Sequence, residues 1–189
     1  MSSSSIRMTN QIHLSIPETD APHVQLAIES LTVKTDPVKD FEMRILVAID
    51  GSKISQEAVH SLGDRLWHPD TKFLLVHVLE PVTSEYASMY MTYSTDYGRI
   101  VAERLSDAEK LVKENADFLK SKLPTAKVES SVLEGPVKEC LIEKAKDWHA
   151  DFIVMGSHGR KGLSKFVLGS VAESVLSESP CSVEIIKTA

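Results

Sequence analysis

The sequence predicts an α/β protein: a five-stranded parallel sheet, doubly wound, with helices on both faces. Three observations carry this. Short β-prone apolar runs alternate with segments of helical period in the order β-α-β-α-β-α-β-α-β. Several runs are apolar from end to end, as strands buried on both faces are. Strand–helix–parallel strand connections are right-handed, which winds such a chain onto both faces of one sheet.

The first strand is 44–49 (RILVAI), an unbroken β-prone run. Asp50, Gly51 and Ser52 make a turn that also offers a helix cap. Residues 53–67 carry Ile54, Ala58, Val59, Leu62 and Leu66 at helical spacing. The second strand is 72–79 (KFLLVHVL). Residues 81–98 interrupt the alternation and hold all 4 tyrosines (Tyr86, Tyr90, Tyr93, Tyr97) with Met89 and Met91. Two readings fit: a loop or short helix folded over the strand ends, or a lid or interaction surface beside a ligand. A long amphipathic helix over 100–123 follows, with Val101, Leu105, Ala108, Val112, Ala116 and Leu119 on one stripe, and Pro124 ends it. The third strand is 126–133. A turn at Glu134 and Gly135 leads to a helix with Pro136 in its first turn, running to about His149. The fourth strand is 151–155 (DFIVM), the last helix starts at Ser170, and the fifth strand is 182–187.

Residues 1–42 differ from the rest. They begin with a serine run, hold Pro17, Pro22 and Pro37 with scattered acids, and read as an N-terminal extension that packs weakly. The domain is expected over 43–189. Of the 189 residues, 42% are hydrophobic, enough for a full core. No apolar run approaches the roughly 20 residues that span a bilayer, so a soluble, cytoplasmic protein is expected with no membrane partner. The net charge of −6 argues against nucleic acid as a partner. Cys140 and Cys181 lack metal-ligand spacing and read as reduced thiols. His77 reads as a core or strand-end histidine, and His60, His68 and His149 as surface residues. No His/Cys/Asp cluster suits a metal.

The most informative stretch is 156–170, from Gly156-Ser-His-Gly159-Arg160 to Gly169-Ser170. It lies between the carboxyl end of a strand and the start of a helix. Backbone N–H groups there lack intrahelical partners and the helix dipole favours negative charge, so this is where open α/β sheets bind phosphate. Gly156 and Gly159 let the backbone approach a phosphate and adopt positive φ. Arg160, Lys161 and Lys165 lie close in sequence and add charge. Ser170 has a plainer reading as the first residue of a capping box with Glu173. Asp50 likewise reads either as a helix cap or as an acceptor for a ribose hydroxyl or a base. His158 reads as a phosphate donor or as a solvated loop residue.

The spacing Gly-x2-Gly-x9-Gly-Ser, the run ILVAI-Asp50-Gly-Ser52, the segment Leu-Val-His77-Val78-Leu and the ending Ser179-Pro-Cys-Ser-Val together resemble the universal stress protein family over 43–187. The resemblance implies a Rossmann-like fold of the adenine nucleotide alpha hydrolase kind, strand order 3-2-1-4-5. It implies an ATP-binding member, with AMP or ADP as alternative ligands and Mg²⁺ entering only with the phosphates. The implied site is Asp50, Val78, Met155, Gly156, His158, Gly159, Arg160, Gly169, Ser170 and Val171. Asp50 would contact the adenosine, the Val78 backbone the adenine edge, and the glycine stretch the ribose and phosphates. It also implies a homodimer through the last strand, where Glu184 departs from the more apolar family habit.

No Gly-x4-Gly-Lys-Ser/Thr loop and no Gly-x-Ser-x-Gly elbow occurs, and no catalytic residue stands out. The expectation is a nucleotide-dependent regulator acting through dimerisation or an unidentified protein partner, not an enzyme. The alternatives are a slow ATPase of the same fold, a receiver domain phosphorylated on Asp50, and an interaction module with a vestigial site.

Overall fold

The computed structural model describes residues 42–81, 97–159 and 168–187. The expected extension 1–42 (apart from Glu42), most of the Tyr/Met-rich segment 81–98, and Arg160, Lys161 and Lys165 lie outside the described residues.

The elements run β1 (Arg44–Ala48), α1 (Lys53–Gly63), β2 (Lys72–Leu79), α2 (Tyr97–Lys122), β3 (Lys127–Glu134), α3 (Val137–Asp147), β4 (Phe152–Gly156), α4 (Ser170–Glu178) and β5 (Ser182–Ile186). The sheet order is β3-β2-β1-β4-β5, with every pair parallel. The order and the parallel sense are those predicted. β1 lies at the centre, flanked by β2 and β4. Residues 45–47 of β1 are buried, as are residues 73–78 of β2.

Period-2 alternation splits the core into two layers. Ile45, Val47, Ile49, Phe73 and Leu75 pack with Ala58, Val59 and Leu62 of α1 and Val112, Ala116 and Leu119 of α2. Leu46, Leu74, Val76, Val78, Ile153 and Met155 pack on the other face with Leu141 and Ala145 of α3 and Ala172 and Val175 of α4. Full burial of each Val, Leu, Ile, Phe or Met side chain among these contributes about 1.5–3 kcal/mol. The chain reverses its winding at β1 and β4, so their carboxyl ends splay apart and open a crevice there.

Most element ends fall within a residue or two of the sequence reading, and three departures bear on the packing. α1 stops at Gly63, not Trp67. Asp64 caps it with its N–H on the carbonyls of His60 and Leu62, and Trp67 Nε1 donates back to Leu62 O at 2.8 Å. Leu66, expected on the apolar stripe, is therefore fully exposed. α2 begins at Tyr97, and its stripe is buried only from Ala108 onward; Val101 and Leu105 stay 39% and 37% exposed because the first turns reach past the core. Pro136 is the N-cap residue of α3 rather than part of its first turn.

Candidate functional site

At the carboxyl ends of β1, β2 and β4 lies a cleft of about 940 Å³. Its walls bring together Asp50, Val78, Met155, Gly156, His158, Gly159, Gly169, Ser170 and Val171. Every predicted site residue except Arg160, which lies outside the described residues, is thus at one cavity.

Asp50 follows β1 directly. Its Oδ1 accepts from Ser52 N at 2.9 Å, a tight Asx turn. The cap of α1 is Ser52, whose hydroxyl accepts from Ser55 N at 3.2 Å, so the capping alternative for Asp50 falls. The carboxylate instead stands against the glycine stretch. A Cβ on Gly159 would lie 2.8 Å from Asp50 Oδ2.

Gly156 and Gly169 are also close approaches. A Cβ at 156 would sit 2.8 Å from Ile54 Cγ2, and one at 169 would sit 3.2 Å from Ser157 O. Among the described residues, positive φ occurs at Gly51, Gly135 and His149, not at Gly156 or Gly159. The expectation of left-handed backbone in the motif is corrected: these glycines are required for space, not for φ.

The stretch is anchored from inside. Ser157 is buried, its N–H donates to Ile186 O at 2.8 Å, and its carbonyl accepts from Gly169 N at 2.8 Å. That last bond ties the end of β4 to the start of α4. Gly169 is the N-cap of α4 and has no side chain to cap with. Ser170 is the first helical residue, so the predicted capping box with Glu173 does not form; a residue inside the helix cannot serve as its N-cap. The first intrahelical bond is Glu173 N to Gly169 O at 2.9 Å. The N–H groups of Ser170, Val171 and Ala172 precede it and line the cleft side of the helix start. Helix polarity adds roughly half a positive charge there.

His158 pairs its Nδ1 with Ser157 Oγ at 3.0 Å. Its Nε2 is buried and has no partner among the described residues. The imidazole tip is therefore not solvated. Such a buried polar atom costs about 1–3 kcal/mol until something pairs with it.

Val78 lies at the cleft on β2. In a parallel ladder, alternate residues turn both backbone groups to the same neighbour. Val76 O accepts from Ile49 N at 2.9 Å, and Leu79 O accepts from Gly135 N at 3.0 Å on the β3 side. Val78 therefore turns its N–H and C=O toward β1, whose register with β2 ends at Ala48 and Val76. Among the described residues no backbone hydrogen bond meets Val78 on that side.

The sequence reading missed part of the wall. His77, Glu80, Ser157, Arg104 and Asp107 also line the cleft. Arg104 Nη2 donates to Glu80 O at 3.0 Å, fastening α2 to the end of β2. Arg104, Asp107, Ala108 and Leu111 share one helical face at i, i+3, i+4 and i+7. A periodicity search that scores only apolar positions passes over the first two. His77 is buried on β2, as predicted, and its Nδ1 lies 2.8 Å from Ile49 O. Among the described residues no group of three or more His, Cys, Asp or Glu side chains is placed to hold a metal ion, and no helix is long and apolar enough to cross a membrane.

Comparison with known proteins agrees with this architecture. The family model for the universal stress protein family matches residues 43–187. The universal stress protein Sll1388 of Synechocystis sp. is 29% identical over 153 residues, covering 76% of this chain and 97% of its own length. The solved structure of hypothetical protein MJ0577 superposes with a TM-score of 0.60 at 26% identity, over 77% of this chain and 96% of that one. The universal stress protein from Archaeoglobus fulgidus in complex with dAMP superposes with a TM-score of 0.52 at 19% identity, over 77% and 98%. With its sheet order, its cleft at the switch point and a family match over 43–187, the chain belongs to the universal stress protein family.

Proposed function

We propose that this protein binds an adenine nucleotide, ATP foremost with AMP or ADP as alternatives, in the cleft between β1, β2 and β4. Occupancy then acts as a signal, read through a homodimer formed along β5 or through a protein partner in the cytoplasm. In this reading the chain is a regulator and not an enzyme, its domain spans 43–189, and residues 1–42 are an appended extension.

The observation that carries the reading is the open first turn of α4. Its N-cap is a glycine without a capping side chain, its first three N–H groups are outside the helical ladder, and the buried Nε2 of His158 lies in the same wall without a described partner. An anion such as a phosphate satisfies all of these at once. The glycines fit the same group, because a Cβ at 159 or 169 would intrude on Asp50 or Ser157. At the other end, Val78 offers one donor and one acceptor in a row, the complement of the adenine edge with its N1 acceptor and amino donor. Between them, the Asp50 carboxylate suits a ribose hydroxyl. The dAMP complex of the Archaeoglobus fulgidus relative supports a ligand of this class. Mg²⁺ enters with the phosphates, which supply its oxygen ligands.

Titration calorimetry of the full chain with Mg-ATP tests this. One site per chain is expected, with Ser170→Ala and Asp50→Ala each weakening binding about 10- to 150-fold, the range for one hydrogen bond to a charged group. Absence of saturable heat in the wild type, or variants that bind as tightly as the wild type, contradicts it.

A further inference from the structure

The parallel ladder between β1 and β2 ends at Ala48 and Val76, with Ile49 N to Val76 O as its last bond. After Ile49 N to Val76 O, the next bond in a regular ladder is Val78 N to Ile49 O. That bond is absent among the described residues. Ile49 O is occupied instead by the His77 side chain, with Nδ1 at 2.8 Å. A carbonyl only accepts, so Nδ1 carries the hydrogen and donates. His77 is 5% exposed and sits in the layer of Ile49, Phe73 and Leu75, where a leucine or phenylalanine would match its neighbours. An imidazole in that layer needs a partner, and the one it takes is the acceptor that Val78 would otherwise use.

We propose that His77 is a positioning residue. By holding Ile49 O it ends the β1–β2 ladder at Val76 and keeps the Val78 N–H turned into the cleft, free to donate to the ring nitrogen of an adenine. The amide of Val78 is preorganised as a base reader because a neighbouring side chain has replaced it in the sheet. This rests on the nucleotide reading of the cleft for its purpose, but the effect on the ladder exists without any ligand.

The test has two arms on the full chain. The first is amide hydrogen exchange by NMR without nucleotide. The Val78 amide is expected to exchange at least tenfold faster than the ladder-bonded amide of Leu74. Its exchange should slow at least tenfold in His77→Leu, where Ile49 O is released to accept it. His77→Gln, whose amide reaches the Nε2 position, should behave as His77→Leu. His77→Asn, whose amide nitrogen falls near Nδ1, should restore fast exchange. The second arm is calorimetry with Mg-ATP and with inorganic tripolyphosphate. His77→Leu should bind ATP about tenfold more weakly and tripolyphosphate as the wild type does, with His77→Asn recovering the ATP affinity. A protected Val78 amide in the ligand-free wild type overturns the proposal without any variant. Equal Val78 exchange in wild type and His77→Leu, or equal ATP loss in His77→Leu and His77→Asn, does so as well. Failure of the wild type to bind ATP overturns the nucleotide reading instead, and the exchange arm still decides the role of His77.

Discussion

Gly156 and Gly159 belong to one short motif, yet the structure assigns them different work, and alanine at each position should separate it. At 156 the added methyl points toward α1. It would meet Ile54 Cγ2 at 2.8 Å and Ile54 C and Cβ at 3.3 Å. Ile54 lies in the first turn of α1, so relief requires moving the helix against the core. Overpacking of this kind costs about 1–3 kcal/mol, or a fall in Tm of roughly 2–12 °C for a domain of this size. At 159 the methyl meets only Asp50 Oδ2, at 2.8 Å. Asp50 Oδ1 is held by Ser52 N at 2.9 Å, so moving the carboxylate strains that hydrogen bond and stability should fall by about 0.5–1.5 kcal/mol, without displacement of a helix. The same shift displaces the acceptor that lines the cleft, and under the proposed function affinity for Mg-ATP should fall about 10- to 100-fold, the equivalent of one charge-assisted hydrogen bond. Thermal unfolding and titration calorimetry on both variants make the comparison. An Ile54→Ala background should remove most of the Gly156→Ala penalty, because the two changes share one contact. Equal losses of stability and affinity in both variants, or Gly159→Ala binding within twofold of the wild type, would refute this division.

Three other outcomes follow from the same geometry. Gly135 has φ +143° and a Cβ there would stand 2.7 Å from Cys140 Sγ, so Gly135→Ala should destabilise by about 1–3 kcal/mol in urea unfolding. Gly98 is helical with nothing within 4 Å of a built Cβ, so Gly98→Ala should raise stability by about 0.5–1 kcal/mol. Glu184 on β5 receives two bonds from Arg65, at 2.5 and 2.8 Å, and the hydrogen bonding from that guanidinium, opposed by desolvation, holds its carboxyl below the usual range. A lowered folded-state pKa means that the pair contributes fully above the unfolded value near about 4.3 and is lost as pH falls through the folded value. Urea unfolding from about pH 6 to about pH 3 should therefore show a shallower acid limb in Glu184→Gln than in the wild type, and identical limbs would discount the pair.

The fold was legible because strand and helix periods differ and β1, β2 and β4 are largely apolar. The runs at 44–49 and 72–79 read as the first and second strands, alternation indicated the parallel winding, and the strand order came from the family resemblance. Boundaries were less legible where a side chain folds back on the backbone. Trp67 closes α1 through its indole N–H, which apolar periodicity scores as one more helical turn. The cleft was legible through its glycines and Ser170, since residues without side chains at a strand–helix junction have few other uses. Of the two reasons read for Gly156 and Gly159, close approach and positive φ, the second is not met, since space and φ leave the same mark in a sequence. Arg104 and Asp107 were missed because they come from α2, remote in sequence from the motif, and reach the cleft only through the sheet order. The vacant ladder position of Val78 was not legible either. It depends on a hydrogen bond from His77 that no pattern of residue types specifies.

The most direct test of the central claim is to denature freshly purified protein and identify any released small molecule by mass spectrometry, with Mg-ATP calorimetry on the emptied chain. The account predicts adenine nucleotide, released or rebound, at a stoichiometry approaching one per chain. A chain that releases none and shows no saturable Mg-ATP binding would contradict it, leaving the glycine stretch with a structural role alone.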